Sequence, residues 1–117
     1  MNIVCIGAHP DDAELHAGAT LAKWAALGHR VTAVSLTNGN AGHHEMPPAK
    51  LAKRRAKEAA RSADIGGFAH LILDTPDGRL TPSLEVRDEV IRIIRQCGHD
   101  IVITHRPWDY HPDHRAT

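Results

Sequence analysis

Four short apolar runs, at residues 2–6, 31–36, 69–73 and 101–104, alternate with three stretches of helical periodicity. That alternation predicts an α/β chain with a mostly parallel sheet, because parallel strands need a helix-length crossover between them. The runs are apolar throughout rather than alternating, the pattern of strands buried on both faces. With 117 residues the chain suffices for one domain, 1–117, around one core.

The first run, Ile3-Val4-Cys5-Ile6, is short and largely β-branched, as a buried strand requires. Residues 12–27 predict a helix, with Leu15, Ala19, Ala22 and Ala26 marking one face of the 3.6-residue period. Asp11 or Asp12 serves as its N-cap, and Gly28 stops it. Residues 31–36 are the second strand. Residues 37–48 carry Gly39, Gly42, Pro47 and Pro48 and so form a loop, which also holds His43 and His44. Residues 49–64 read as a basic amphipathic helix with Ala52, Ala56, Ala59 and Ala63 inward and Gly66-Gly67 closing it. The third strand, 69–73, leads into the turn Pro76-Asp77-Gly78. Thr81-Pro82 starts a third helix, with Thr81 as N-cap, Pro82 at N1 and Val86, Val90, Ile93 and Cys97 on the buried face. Gly98 ends it, and residues 101–104 are the fourth strand. There is no internal repeat, linker or low-complexity segment.

Lys plus Arg equals Asp plus Glu at 14 each, which excludes the basic surface of a nucleic-acid or membrane binder. The two cysteines lack CxxC spacing and read as reduced thiols. No signal-peptide pattern and no apolar run of about 20 residues is present, so a cytoplasmic location is expected. A homo-oligomer is left open.

Doubly wound sheets with right-handed crossovers give the strand order 3-2-1-4, so the expected architecture is a Rossmann-like three-layer α/β/α sandwich. The first strand then lies beside the fourth, at the switch point outside whose carboxyl ends ligands bind. Polar clusters follow both strands: His9, Asp11, Asp12 and Glu14 after the first, and His111, Asp113 and His114 after the fourth. Two imidazoles and a carboxylate are a usual catalytic zinc set with one position open for water. A further carboxylate can take that water's proton, and a further histidine can stabilise an oxyanion. GxGxxG, the P-loop, GxSxG and HExxH are all absent, which argues against dinucleotide, nucleotide, serine-hydrolase and zincin chemistry.

Ala8 to Glu14, AHPDD followed within two residues by Glu, and His111 to His114, HPDH, resemble the two signatures of the LmbE-like, or PIG-L, family of zinc-dependent de-N-acetylases. The resemblance implies His9, Asp12 and His114 as ligands of one Zn2+ per chain, with another divalent metal as the alternative. It implies Asp11 as general base, His111 as oxyanion stabiliser and Asp113 as the group that orients a neighbouring histidine. Arg55, paired with Glu58, resembles a substrate-contacting Arg-x-x-Glu, and Asp77 is a further substrate candidate. Trp108, on the loop before HPDH, is placed to stack on a sugar or to pack. His16 stands where the family has small residues, and it narrows the pocket or adds a ligand. The implied substrate is a small N-acetylated amino sugar or conjugate, and the similarity spans the family's N-terminal part, so the chain is expected to lack the C-terminal part. The rivals are another metal-assisted hydrolase, such as an amidase or a two-metal phosphoesterase, and a non-catalytic metal- or sugar-binding relative.

Overall fold

The computed structural model describes residues 1–117. Its elements are β1 (Asn2–Gly7), α1 (Asp12–Ala26), β2 (Arg30–Thr37), α2 (Pro48–Gly66), β3 (Ala69–Thr75), α3 (Leu84–Cys97), β4 (Ile101–Thr104) and α4 (Pro112–Ala116). The strands pair in the order β3-β2-β1-β4, as the topology argument requires, and every pairing is parallel.

Alternation along β1 builds two cores. Ile3 and Cys5 pack with Ala13 and Leu21 of α1 and with Val31 and Ala33 of β2. Val4 and Ile6 pack on the other face with Val34, Leu36, Leu80 and Ile93. The winding direction reverses at β1, which is therefore buried on both sides. The edge strands β3 and β4 are only partly covered, unlike the fully covered strands expected, because each has a neighbouring strand on one flank only. No helix is long and apolar enough to cross a membrane.

Three local expectations are corrected. On α1 the buried face is Ala13 and Leu21, with Ala17, Trp24 and Ala25 packed beside them. Leu15, expected inward, is 77% exposed. An alanine-rich helix shows two stripes of equal period, and the one with Leu21 and Trp24 buries more apolar area. On α2, Leu51, Ala59 and Ala63 are buried, whereas Ala56 is exposed. The face expected on α3 is the observed one, but its N-cap is Ser83, not Thr81. The chain stays extended past Thr81 because Leu80 is anchored in the core, and Ser83 Oγ accepts from Val86 N–H at 3.3 Å.

The helix α4 was not foreseen; Pro112 sits in its first turn, and the His111 side chain caps it by accepting from Asp113 N–H.

The cap assignment predicts that Ser83→Ala lowers unfolding free energy by about 1 kcal/mol. Thr81→Ala should change it by less than about 0.5 kcal/mol. Urea unfolding of both variants checks this.

Candidate metal centre

The loop after β1 is clamped to β2 by its backbone. Ala8 C=O accepts from both the Thr37 N–H and the Thr37 hydroxyl, each at 2.8 Å. His9 C=O accepts from Asp11 N–H at 2.9 Å and Asp12 N–H at 3.2 Å, the turn that opens α1. Gly7 permits this turn: a Cβ there would lie 2.6 Å from Asp12 Cβ.

Three side-chain groups converge above the switch point. His9 Nδ1 lies 3.3 Å from His114 Nε2. Asp12 Oδ2 lies 3.4 Å from His9 Nδ1, and Asp12 Oδ1 lies 3.4 Å from His114 Nε2. Ligands about 2.0–2.1 Å from a tetrahedral ion are separated by roughly 3.3 Å, so the three groups fit one divalent metal. The structure thus brings together the ligand set implied by the two signatures.

The outward nitrogens are held by carboxylates. His9 Nε2 is 3.0 Å from Asp113 Oδ2 and 3.1 Å from Asp77 Oδ1. Asp113 is fully buried and accepts from Gly78 N–H at 2.7 Å and Leu80 N–H at 3.2 Å. Asp109 Oδ2 makes a charge contact with His114 Nδ1 at 3.3 Å. Asp12 Oδ2 also accepts from His9 N–H at 2.7 Å and lies 3.1 Å from His105 Nε2. Such partners fix which nitrogen of a ligating histidine faces a metal.

A cavity of about 410 Å³ opens over these groups and is lined by His9, Asp11, Asp12, Arg55, His111 and His114 among others. Asp11 is the N-cap residue of α1, but its side chain makes no capping bond. It accepts instead from Arg55 of α2 at 2.5 Å. His111 Nδ1 accepts from Asp113 N–H at 3.2 Å, which leaves Nε2 as the donor of a neutral ring.

Burial by itself pushes the His9 ring down, but Asp12 and then Asp77 and Asp113 outweigh it and hold its pKa at about 9 in the metal-free chain. Burial raises Asp12, yet hydrogen bonds from His9 and the charges of His114 and His9 carry it well below the usual carboxylate range. Burial is also the main cause that lowers His105, against the pull of Asp12.

The remaining expectations divide. Arg55 and Asp77 line the cavity, although Asp77 is engaged by His9. Trp108 is 73% exposed and does not line it; Tyr110, two residues on, does. His16 lines the cavity without joining a ligand group. His43 and His44 stack on each other outside it, ring centroids 5.0 Å apart. A second group, His9, Asp77, His111 and Asp113, also has metal-ligand spacing. It shares His9 with the first, through the opposite ring nitrogen, and both Asp113 oxygens in it accept backbone hydrogen bonds. Sequence reasoning missed His105 and Asp109. The parallel register that pairs Ile6 with Thr104 puts position 105 beside the end of β1, a signal that was available. Asp109 sits in an irregular loop and had none.

Residues 4–117 match the family described as PIG-L, GlcNAc-PI de-N-acetylase. The chain belongs to the PIG-L family. Diacetylchitobiose deacetylase of Thermococcus kodakarensis is 38% identical over 119 residues, covering 97% of this chain and 45% of that protein. The structure of N,N'-diacetylchitobiose deacetylase from Pyrococcus horikoshii, complexed with an inhibitor, superposes with a TM-score of 0.94 at 34% identity, over 99% of this chain and 46% of that one. The 4-carboxy-2-hydroxymuconate hydratase of Pseudomonas putida superposes with a TM-score of 0.90 at 26% identity, over 98% and 52%. The chain therefore spans about half the length of these relatives. A hydratase on the same fold shows that the fold does not fix the chemistry, so function must be argued from the site.

The shifts of His9 and Asp12 predict how metal-free stability depends on pH. His9 is raised, so its contribution is full below about pH 6.5 and is lost as pH rises through about 9. Asp12 is depressed, so its contribution is present above about pH 4 and is lost as pH falls below that. Thermal unfolding of the metal-free chain should show a stability decline between about pH 7 and 10 that His9→Gln flattens.

Proposed function

We propose that this chain carries the metal-binding and proton-handling groups of a zinc-dependent de-N-acetylase that acts on N-acetylated amino sugars or their conjugates. The observation that carries this reading is the convergence of His9 Nδ1, His114 Nε2 and Asp12 at 3.3–3.4 Å, with Asp11 and His111 on the same cavity. The deacetylase relatives support the reaction class.

A bound zinc ion supplies a water acidified towards pH 7 and Lewis acidity at the acetamide carbonyl. The chain's own groups do the rest. Asp113 and Asp77 hold His9 by Nε2, which keeps Nδ1 aimed inward. Arg55 holds Asp11 Oδ2, leaving Oδ1 to take the proton released as water attacks the amide carbon. Asp11 then delivers that proton to the departing amine nitrogen. His111 Nε2–H donates to the carbonyl oxygen as it gains charge. The products are acetate and a free amino sugar. On this reading Asp77 buttresses His9 rather than binding sugar hydroxyls, and Tyr110 takes the stacking position expected of Trp108. A cytoplasmic site of action is part of the proposal and is supported by two unpaired cysteines.

Elemental analysis should find about one zinc per wild-type chain and close to none in His114→Ala. Asp11→Asn should keep the metal and lose about 10²–10⁴-fold in acetate release from N,N'-diacetylchitobiose. Metal binding without turnover by the wild-type chain would instead favour a non-catalytic relative.

A further inference from the structure

The metal centre does not use a second polar line, which runs between α1 and the sheet. His70, on β3, has a side chain only 2% exposed. Its Nε2 lies 2.9 Å from Ser35 Oγ on β2, and its Nδ1 lies 3.2 Å from Glu14 Oε1 on α1. Ser35 Oγ donates in turn to the carbonyl of His9 at 3.0 Å. By residue type this is the serine, histidine and acid of a hydrolase. Ser35 is 1% exposed and its hydroxyl faces a backbone carbonyl, so no substrate reaches it as a nucleophile.

Proton counting gives the line a direction. The Ser35 hydroxyl has one proton, and it is committed to His9 C=O. His70 Nε2 must therefore donate to Ser35 Oγ. Nδ1 faces Glu14 Oε1 on the other side of the ring, in charge contact and off the axis of a hydrogen bond. Donation thus runs from His70 on β3, through Ser35 on β2, to the carbonyl of the residue whose ring faces the metal position, with the Glu14 carboxylate of α1 as an acceptor on the other side of the ring. That carbonyl already accepts from Asp11 and Asp12 N–H, the turn's own bonds. The Ser35 bond ties this carbonyl to a neighbouring strand, one residue beyond the Thr37 clamp on Ala8.

We propose that Glu14, His70 and Ser35 are positioning residues that set the His9 backbone, and through it the angle of Nδ1 towards His114. The consequence for metal affinity rests on the zinc reading above. The consequence for the turn does not.

The test uses the 117-residue chain with Ser35→Ala, His70→Leu and His70→Gln, and with Ile93→Val as a core truncation remote from the site. Amide hydrogen exchange at Asp11 and Asp12 should accelerate in Ser35→Ala and His70→Leu, while the β2 amides of Val31 and Ala33 stay protected. Zinc Kd should weaken about 10-fold or more in the same two variants. His70→Gln, which keeps a donor for Ser35, should stay within about 3-fold of wild type. Unchanged exchange at Asp11 and Asp12, or zinc losses no larger than those of Ile93→Val, would overturn the proposal. A wild-type chain that binds no zinc would defeat the zinc reading alone, and the exchange result would still decide the positioning claim. If Ser35→Ala does not fold, the His70→Leu and His70→Gln pair is read by the same criteria.

Discussion

An imidazole presents one nitrogen to a metal in a defined direction when the other is held by an acceptor, and at His9 that acceptor is the Asp113 carboxylate. A carboxylate buried to this degree is costly unless its oxygens find donors. Asp113 finds them in the backbone of Gly78 and Leu80, in the loop after β3. One side chain thereby joins three loops that are distant in sequence: the one after β1, the one after β3 and the start of α4. Leu80 is placed in the core by the same contact, and α3 begins only at Ser83 as a result. The HPDH stretch therefore organises the end of the sheet as well as carrying the ligand we propose, His114.

The order of the strands was legible because it follows from general constraints. Apolar runs separated by helical stretches permit few right-handed arrangements, and the one with β1 beside β4 brings His9 and His114 together. The meeting of the two polar clusters was legible for the same reason, since they follow neighbouring strands; which of their residues would ligate came from the resemblance to the two PIG-L signatures. What failed was phase and detail. The Ala-rich α1 has no single dominant stripe, so Leu15 looked as well placed as Leu21. Ser83 and Thr81 are equally good caps by residue type, and only the burial of Leu80 separates them. Trp108 and Asp109 lie on an irregular loop, where no period says which side chain turns inward. His70 and Ser35 are interior strand positions, and polar residues there gain meaning only from partners on other strands.

Asp11 and Asp12 show how adjacent identical residues acquire different chemistry. Asp12 lies inside the helix and is buried, and its oxygens meet His9, His105 and His114. Asp11 lies half-exposed at the helix entrance and is drawn outward by Arg55 of α2. A helix start turns successive side chains by about 100°, so one carboxylate faces the switch point and the next faces the cavity mouth. The division we propose between metal ligand and proton carrier follows from this rotation and needs no difference in residue type.

The same geometry sets a proton and a metal against each other at His9. Asp12, Asp77 and Asp113 surround His9, and their combined pull is what raises its ring to about pH 9. In the metal-free chain a proton on Nδ1 offsets charge that a cation would otherwise offset. Proton and metal therefore compete for one nitrogen in a site whose other contacts are already made. On the zinc reading proposed above, binding must expel that proton, so affinity rises with pH until His9 has titrated. The backbone clamps at Ala8 and His9 lie apart from this competition, because Thr37 and Ser35 hold carbonyl groups rather than the ring nitrogens.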